Sequence, residues 1–325
     1  MHQPPRPKRD ASVEPDDAGR IVDGDPYDSL TNLDDSPLAI EGDMLVERVG
    51  DQLWQWDLTT MQRVDAYSLP TRSFTVLPDR SIVTWGQDTP GEARCTLFRL
   101  VGGALTEYTT LVCVGAGEML RRTGTSDAIF VVYDDRVVRF RFAGTKLDDD
   151  ASFSLPPRNP SSSAQITSLE DGRLVFVGRD HGITIVAPDA QPIVRPTKYQ
   201  PRHLARAANG YWYSYAATNN YRHVDTVVLA GTRDTIIPFA PARIVHMASH
   251  GDTLALLLMT GPEEWHVALV EAGRERWRAR VPTKSARQMY AAAVGVSATR
   301  LVLHSSTGLR AWNTATGEIL EVANP

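Results

Sequence analysis

From residue 37 to the C-terminus, apolar and polar residues alternate in short runs, each closed by a cluster of Gly, Asn, Asp, Ser or Pro. A period of two marks the half-buried β-strand, whose successive side chains point to opposite faces. Many runs are rich in β-branched and aromatic residues, and none has the spacing and length of an amphipathic helix. The runs fall into groups of four. LAI, MLVERV, LWQWD and RVDAYSL form the first, and SFTVL, SIVTW, CTLFRL and LTEYTTL the second. The third is CVGAG, AIFVVY, RVVRFRF and ASFSL, with extra length at residues 118–126 and in an acidic turn, Asp148-Asp149-Asp150. AQITSL, RLVFVG, ITIVA and PIVRP make the fourth; HLARAA, YWYSYAA, DTVVLAG and DTIIPFA make the fifth. The sixth is RIVHMAS, TLALLLM, WHVALVE and RWRARV, and the seventh MYAAAVG, RLVLHS, GLRAWN and EILEVA.

One residue in each third run serves as an anchor: Leu53, Leu97, Val137, Thr184, Val227, Val267 and Leu309, spaced 44, 40, 47, 43, 40 and 42 apart. A period of about 43 residues is that of a four-stranded propeller blade. The expected fold is therefore all-β: a seven-bladed β-propeller of four-stranded antiparallel blades over residues 37–325. Six or eight blades follow if one group is misread or the N-terminal segment adds another.

Two hairpins carry the repeat most clearly. In AWNTATGE, residues 311–318, Asn313 can turn the chain with its own side chain and Gly317 can take the positive φ of a bulged turn. In DQLWQWDLTTMQRV, residues 51–64, Trp56-Asp57 stands where Trp312-Asn313 stands, and Met61 where Gly317 stands. Trp56-Asp57 resembles the dipeptide that ends the third strand of a WD40 repeat. AWNTATGE is similar to the blade motif of quinoprotein-type propellers, and as the best-preserved copy it is expected to close the ring. The resemblance to the WD40-like and quinoprotein-like propellers covers residues 37–325 as architecture. It implies a rigid disc with loop-built faces, used as a docking or scaffold subunit without chemistry of its own. In bacteria it further implies an accessory member of a multi-protein signalling or defence-type system. The Gly-His pair that opens a WD repeat is missing, as is any array of cofactor-stacking tryptophans and acidic metal ligands, so no cofactor is expected.

Charge divides the chain. Residues 1–36 hold four basic residues and nine acidic ones, a balance of −5, and the remaining 30 basic and 30 acidic residues cancel. This Pro-, Asp- and Ser-rich segment is expected to be a disordered acidic tail; its one strand-like patch, GRIVDG, reads as a linker or as a closing strand for the last blade. A neutral body argues against broad nucleic-acid binding. No window approaches the roughly 18 apolar residues of a membrane helix, and the basic N-terminus is followed by no apolar core of a secretory signal. Two cysteines without a CxxC pattern give no disulfide framework, which points to the cytoplasm. Arginine outnumbers lysine 30 to 4, which reads as a GC-rich bacterial genome.

Candidate chemistry is sparse. His246 and His250 are four apart, but a strand running into a turn is not expected to bring both to one face. His203, His246 and Glu41 are the few inner-strand groups that a metal-dependent hydrolase or lyase at the channel mouth could use, and they are dispersed. The stronger pattern lies between blades. In five of six connections a proline precedes a basic residue: Arg72, Arg158, Arg202, Arg243, and Lys284 with Arg287. These connections emerge on one face, so the arginines form either a broken basic ring for a carboxylate, phosphate or acidic peptide, or local bridges between blades. Tyr221, Arg222 and His223, beyond the apolar part of the Tyr211–Tyr215 stretch, are further contact candidates. Arg274, Arg276, Arg278 and Arg280 alternate on an outer strand and are read as one charged edge face that discourages edge pairing. The expectation is a non-enzymatic propeller, monomeric within a complex, docking a protein partner through these residues. The alternatives are a metal-dependent hydrolase or lyase propeller with its site at the channel mouth, or single-stranded nucleic-acid binding by the same arginines.

Overall fold

A computed structural model describes residues 37–320, with breaks at 69–72, 87–93, 113–119, 123–127, 133–135, 144–145, 155–164 and 179–181 and at shorter points within loops. The segment 1–36, including GRIVDG, lies outside the described residues. The described strands form seven sheets, each of four strands that are consecutive in the chain and antiparallel in the order first to fourth. Blades 1 to 7 span residues 38–68, 73–112, 120–154, 165–196, 201–238, 243–280 and 293–320. First strands of neighbouring blades meet around the centre, blades 3 and 4 joining through their shared apolar cluster, and the first strand of blade 7 meets that of blade 1, closing the ring. All seven anchors fall on third strands.

Strand alternation sends one face of each sheet to the preceding blade and the other to the next. Seven apolar clusters result among the described residues, and each fills one seam. The core of the molecule is thus a ring of wedges, not a single centre. Every large aliphatic side chain removed from water at a seam contributes about 1.5–3 kcal/mol. At the seam of blades 7 and 1, Leu38, Leu45, Trp56 and Leu58 pack on Ala293, Val302, Leu309 and Ala311. Trp312 points the other way, into the seam of blades 6 and 7. The ring-closing tryptophan is therefore Trp56, whose position in blade 1 faces back toward the last blade, and not Trp312.

The two matched hairpins have the same backbone. Asp57 Oδ1 accepts from the amides of Thr59 at 2.7 Å and Thr60 at 3.2 Å. Asn313 Oδ1 accepts from those of Ala315 at 2.8 Å and Thr316 at 3.3 Å. Met61 and Gly317 then take positive φ, 56° and 73°. A glycine fits there without strain, whereas Met61 holds the same conformation at a cost of about 1–2 kcal/mol, and its side chain packs on the 7–1 cluster.

Several strand expectations shift. The first strand of blade 3 is Leu120–Arg122, and the CVGAG run lies outside the described residues. Asp148-Asp149-Asp150 is part of the outer strand Lys146–Ser154, not a turn; Asp148 pairs with Arg141 and the register slips beside Asp149. Blade 7 begins at Ala293 because Ala286–Met289 forms a 3-10 turn that drives Met289 into the 6–7 core. In the outer strand of blade 6 a bulge makes Arg276 the extra residue, so Glu275 pairs with Val270 and Trp277 with Leu269. The four arginines consequently do not share one side: Arg278 lies over Phe239 of blade 5 and pairs with Glu275, while Arg276 pairs with Glu271.

Candidate docking face

Because each blade is a meander, its two kinds of connection are sorted by face. Hairpins between first and second and between third and fourth strands lie on one side, the hairpin face. Hairpins between second and third strands, and the crossovers between blades, lie on the other, the crossover face. Arg202 and Arg243 stand at or next to the start of the inner strands Pro201–Ala207 and Arg243–His250, so both belong to the crossover face. Arg222 opens a third strand, paired with Asn219, and His223 pairs with Thr218, which places this hairpin of blade 5 on the same face. Arg287 lies in the 3-10 turn of the crossover into blade 7. Arg72, Arg158 and Tyr221 lie outside the described residues. The topology thus gathers the predicted residues that are described onto one face.

Around blades 4 to 6 the local structure is explicit. Thr197 Oγ1 donates to Tyr199 O at 2.8 Å, fixing the crossover from blade 4 to blade 5. Tyr199 stacks on Tyr215 with ring centroids 5.0 Å apart and 15° between planes, and Lys198 Nζ lies 5.2 Å from the Tyr199 centroid. Tyr215 continues inward to Tyr213 and Tyr211, at 6.3 Å and 6.2 Å, which pack in the seam of blades 4 and 5. Trp212, on the opposite side of the same strand, fills the seam of blades 5 and 6. Most of the aromatic stretch is therefore core, and its last member carries a surface stack. The Lys198–Tyr199 pair escaped the sequence reading. Its signal was an aromatic residue inside a crossover, just ahead of Pro201-Arg202.

The histidines hold blades together. His203 is buried; its Nε2 meets Val245 O of blade 6 at 3.0 Å and its Nδ1 meets Ser214 Oγ at 2.7 Å. A carbonyl can only accept, so Nε2 carries the proton and Nδ1 accepts from the serine. Burial first, then the neighbouring His246, Arg202 and Arg243, pushes the His203 pKa down to about 3. His246 Nδ1 in turn accepts the Val294 amide of blade 7 at 3.2 Å, and Gln165 of blade 4 accepts the Leu204 amide of blade 5 at 2.7 Å. Inner strands of neighbouring blades belong to different sheets and cannot share a ladder; these side chains make the connection instead. His246 and His250 do fall on the same side of one strand, because no bulge separates them. At about 3.3 Å per residue, however, they are about 13 Å apart. Glu41 ends the first strand of blade 1 at the hairpin face. Among the described residues no group of three His, Cys, Asp or Glu side chains could hold a metal ion.

Buried Asp225 sets the crossover from blade 5 to blade 6: its Oδ2 accepts the Ile244 amide at 2.6 Å and its carbonyl accepts the Phe239 amide at 2.9 Å. That fixes the backbone on which Arg243 sits. Lys198, Arg202 and Arg243 with the Tyr199–Tyr215 stack make a cationic, aromatic sector that can pair with carboxylates and cover an apolar or planar group.

No family profile matches the chain, and comparison with curated protein sequences finds no match. Solved structures do match. Hsv2 of Kluyveromyces marxianus superposes over 88% of this chain and 96% of its own with a TM-score of 0.59 and 10% identity. The chain has the seven-bladed β-propeller fold. The propeller domain of Cps50 (Swd1) from Myceliophthora thermophila aligns at TM-score 0.56 and 13% identity over 87% of this chain and 94% of its own. The propeller of the trilobed protease from Pyrococcus furiosus, described as having an open velcro topology, aligns at 0.60 and 9% over 88% and 94%. At these identities the likeness establishes the fold alone.

Proposed function

We propose that this chain is a non-catalytic docking subunit of a cytoplasmic multi-protein assembly, binding an acidic segment of a protein partner at the crossover face of blades 4 to 6. The observation that carries this reading is the Tyr199–Tyr215 stack with Lys198 over it, beside a rim that bears Arg202 and Arg243. The inner-strand histidines support it from the other side, since both nitrogens of His203 are already engaged between blades. Exposed Lys198 and half-buried Arg202 and Arg243 draw an acidic segment in quickly and make its binding sensitive to salt, while the stacked rings supply the desolvated contact area.

The test is fluorescence anisotropy with a labelled 16-residue Asp/Glu-rich peptide bearing one central Phe, on the chain and on a Lys198→Ala/Arg202→Ala/Arg243→Ala variant. Binding that weakens at least about tenfold in the variant, and falls with added salt, supports the proposal. Unchanged binding removes this sector. Tighter binding of a labelled dT12 oligonucleotide than of the peptide replaces a protein partner by single-stranded nucleic acid. A stoichiometric divalent metal in purified protein overturns the non-catalytic reading.

A further inference from the structure

We infer that a crevice between blades 1 and 2, away from the crossover face, is a binding site for a lysine or arginine side chain presented by a partner peptide. The crevice holds about 320 Å³, at the lower end of the range for ligand sites, about 300–1,000 Å³. Its base touches Met44, Ile82 and Leu100, buried members of the seam core, and its exposed apolar lining is Val64 and Val101. One wall is the outer part of blade 1, with Gln55, Asp65 and Tyr67; the other is a pair of blade 2 hairpins on the hairpin face, residues 79–82 and 100–103.

The crevice is open because a repeated contact is missing there. At the seam of blades 6 and 7, Trp277 on the outer strand of blade 6 lies against the hairpin of blade 7. A Cβ on Gly317 would stand 3.0 Å from its ring, and its Nε1 donates to Thr314 O at 2.8 Å. At the seam of blades 5 and 6, Thr235 plays the same part, 2.9 Å from a Cβ built on Gly273. The residue of blade 1 that corresponds to Trp277 is Asp65: each directly follows the bulged residue of its outer strand, Arg276 and Val64. Asp65 is short and exposed, and a Cβ on Gly102 or Gly103 of the facing hairpin would have no neighbour within 4 Å. Where two other seams are plugged by a side chain, this one presents a carboxylate beside the exposed side chains of Val64 and Val101.

The chemistry selects a basic side chain. Asp79 is engaged by Arg99 and Ser81, and Arg80 by Asp43; the remaining carboxylate at the lip is Asp65, whose Oδ1 accepts the Ala66 amide at 2.8 Å and whose charge no basic side chain in these contacts meets. The Tyr67 hydroxyl donates to Gln55 Oε1 at 3.2 Å, and burial together with Asp65 pushes its pKa up to about 12, so no phenolate competes there. An aliphatic stem covers exposed Val64 and Val101 above the Met44 and Ile82 base while its cationic head meets Asp65, the arrangement that long basic side chains adopt at apolar surfaces.

The experiment labels Met and Ile methyl groups of the full chain with 13C. It then titrates Nα-acetyl-lysine amide, Nα-acetyl-arginine amide and, as the uncharged control, Nα-acetyl-norleucine amide. The expected result is saturable shifts of the Met44 and Ile82 methyls, with lysine or arginine binding about fivefold more tightly than norleucine. Asp65→Asn should remove that preference, and Asp65→Trp should abolish the shifts by supplying the plug. Dispersed methyl spectra show that each variant is folded. Absence of shifts with every probe, equal binding of norleucine, or undiminished shifts in Asp65→Trp overturns the assignment.

Discussion

Glu47 is the group on which ring closure should depend most sharply. It lies on the second strand of blade 1 and is 2% exposed. Its two oxygens are used separately: Oε2 accepts Trp56 Nε1 at 3.0 Å, and Oε1 meets His304 Nδ1 of blade 7 at 2.6 Å. Replacing it with leucine keeps an apolar filling but strands the indole N–H, which costs about 1–3 kcal/mol, and removes a second, charge-assisted contact worth a similar amount. The expected loss for Glu47→Leu is thus about 2–4 kcal/mol, a large part of a typical total of about 5–15. Glu47→Gln should lose about 1 kcal/mol or less, because its carbonyl still accepts from Trp56 and its amide can donate to a neutral His304. Urea unfolding of the three proteins measures the totals. Amide hydrogen exchange shows where they act, with loosening expected in strands 44–49 and 300–305 and not at the seam of blades 3 and 4. A leucine variant within about 0.5 kcal/mol of the parent, or loosening spread evenly around the ring, would refute the reasoning.

Two further outcomes test particular contacts. His203 has its folded pKa depressed, so the unfolded chain takes up a proton below about 6.5 that the folded chain refuses down to about 3. Its contribution is present above about pH 6.5 and lost as pH falls: between pH 7.5 and 5.5 the parent should lose about 1.4 kcal/mol more than His203→Gln in urea unfolding. An equal pH dependence would show that the ring is already charged in the folded state. The matched turns make a second test. Asp57→Ala and Asn313→Ala each remove an acceptor shared by two amides, and each should lower stability by about 1 kcal/mol; a loss in one alone would break the equivalence of the two hairpins.

The architecture was readable because it rests on local features repeated at nearly constant spacing. Alternation decided which residues are strands, and the anchors from Leu53 to Leu309 fell on seven third strands because a blade needs about 43 residues to run its meander. Features set by one residue were harder to read. The bulge at Arg276 reverses the side on which its neighbours point, and nothing in the alternation of RERWRAR announces it. Leu120–Arg122 is too short to show a period. The role of the histidines was hidden for another reason. His203 meets Val245 across 42 positions and His304 meets Glu47 across 257, so their partners exist only once the ring has formed. On the candidate face, prolines and arginines marked the crossovers. The stack of Tyr199 on Tyr215 depended on two neighbouring blades being set side by side.

Among the described residues, each sheet is built from four neighbouring strands of the chain, and none is lent by one end of the described segment to the other. Leu320, the last described residue, packs in the same cluster as Leu38, close to the first. The chain therefore enters and leaves the ring at one seam, and that seam differs from the other six mainly in lacking a covalent crossover. A circular permutant that joins residues 37 and 320 through a short linker and opens the crossover between blades 4 and 5 leaves all seven sheets whole. Among the described strands, the closed ring is continuous across the seam where residues 37 and 320 lie.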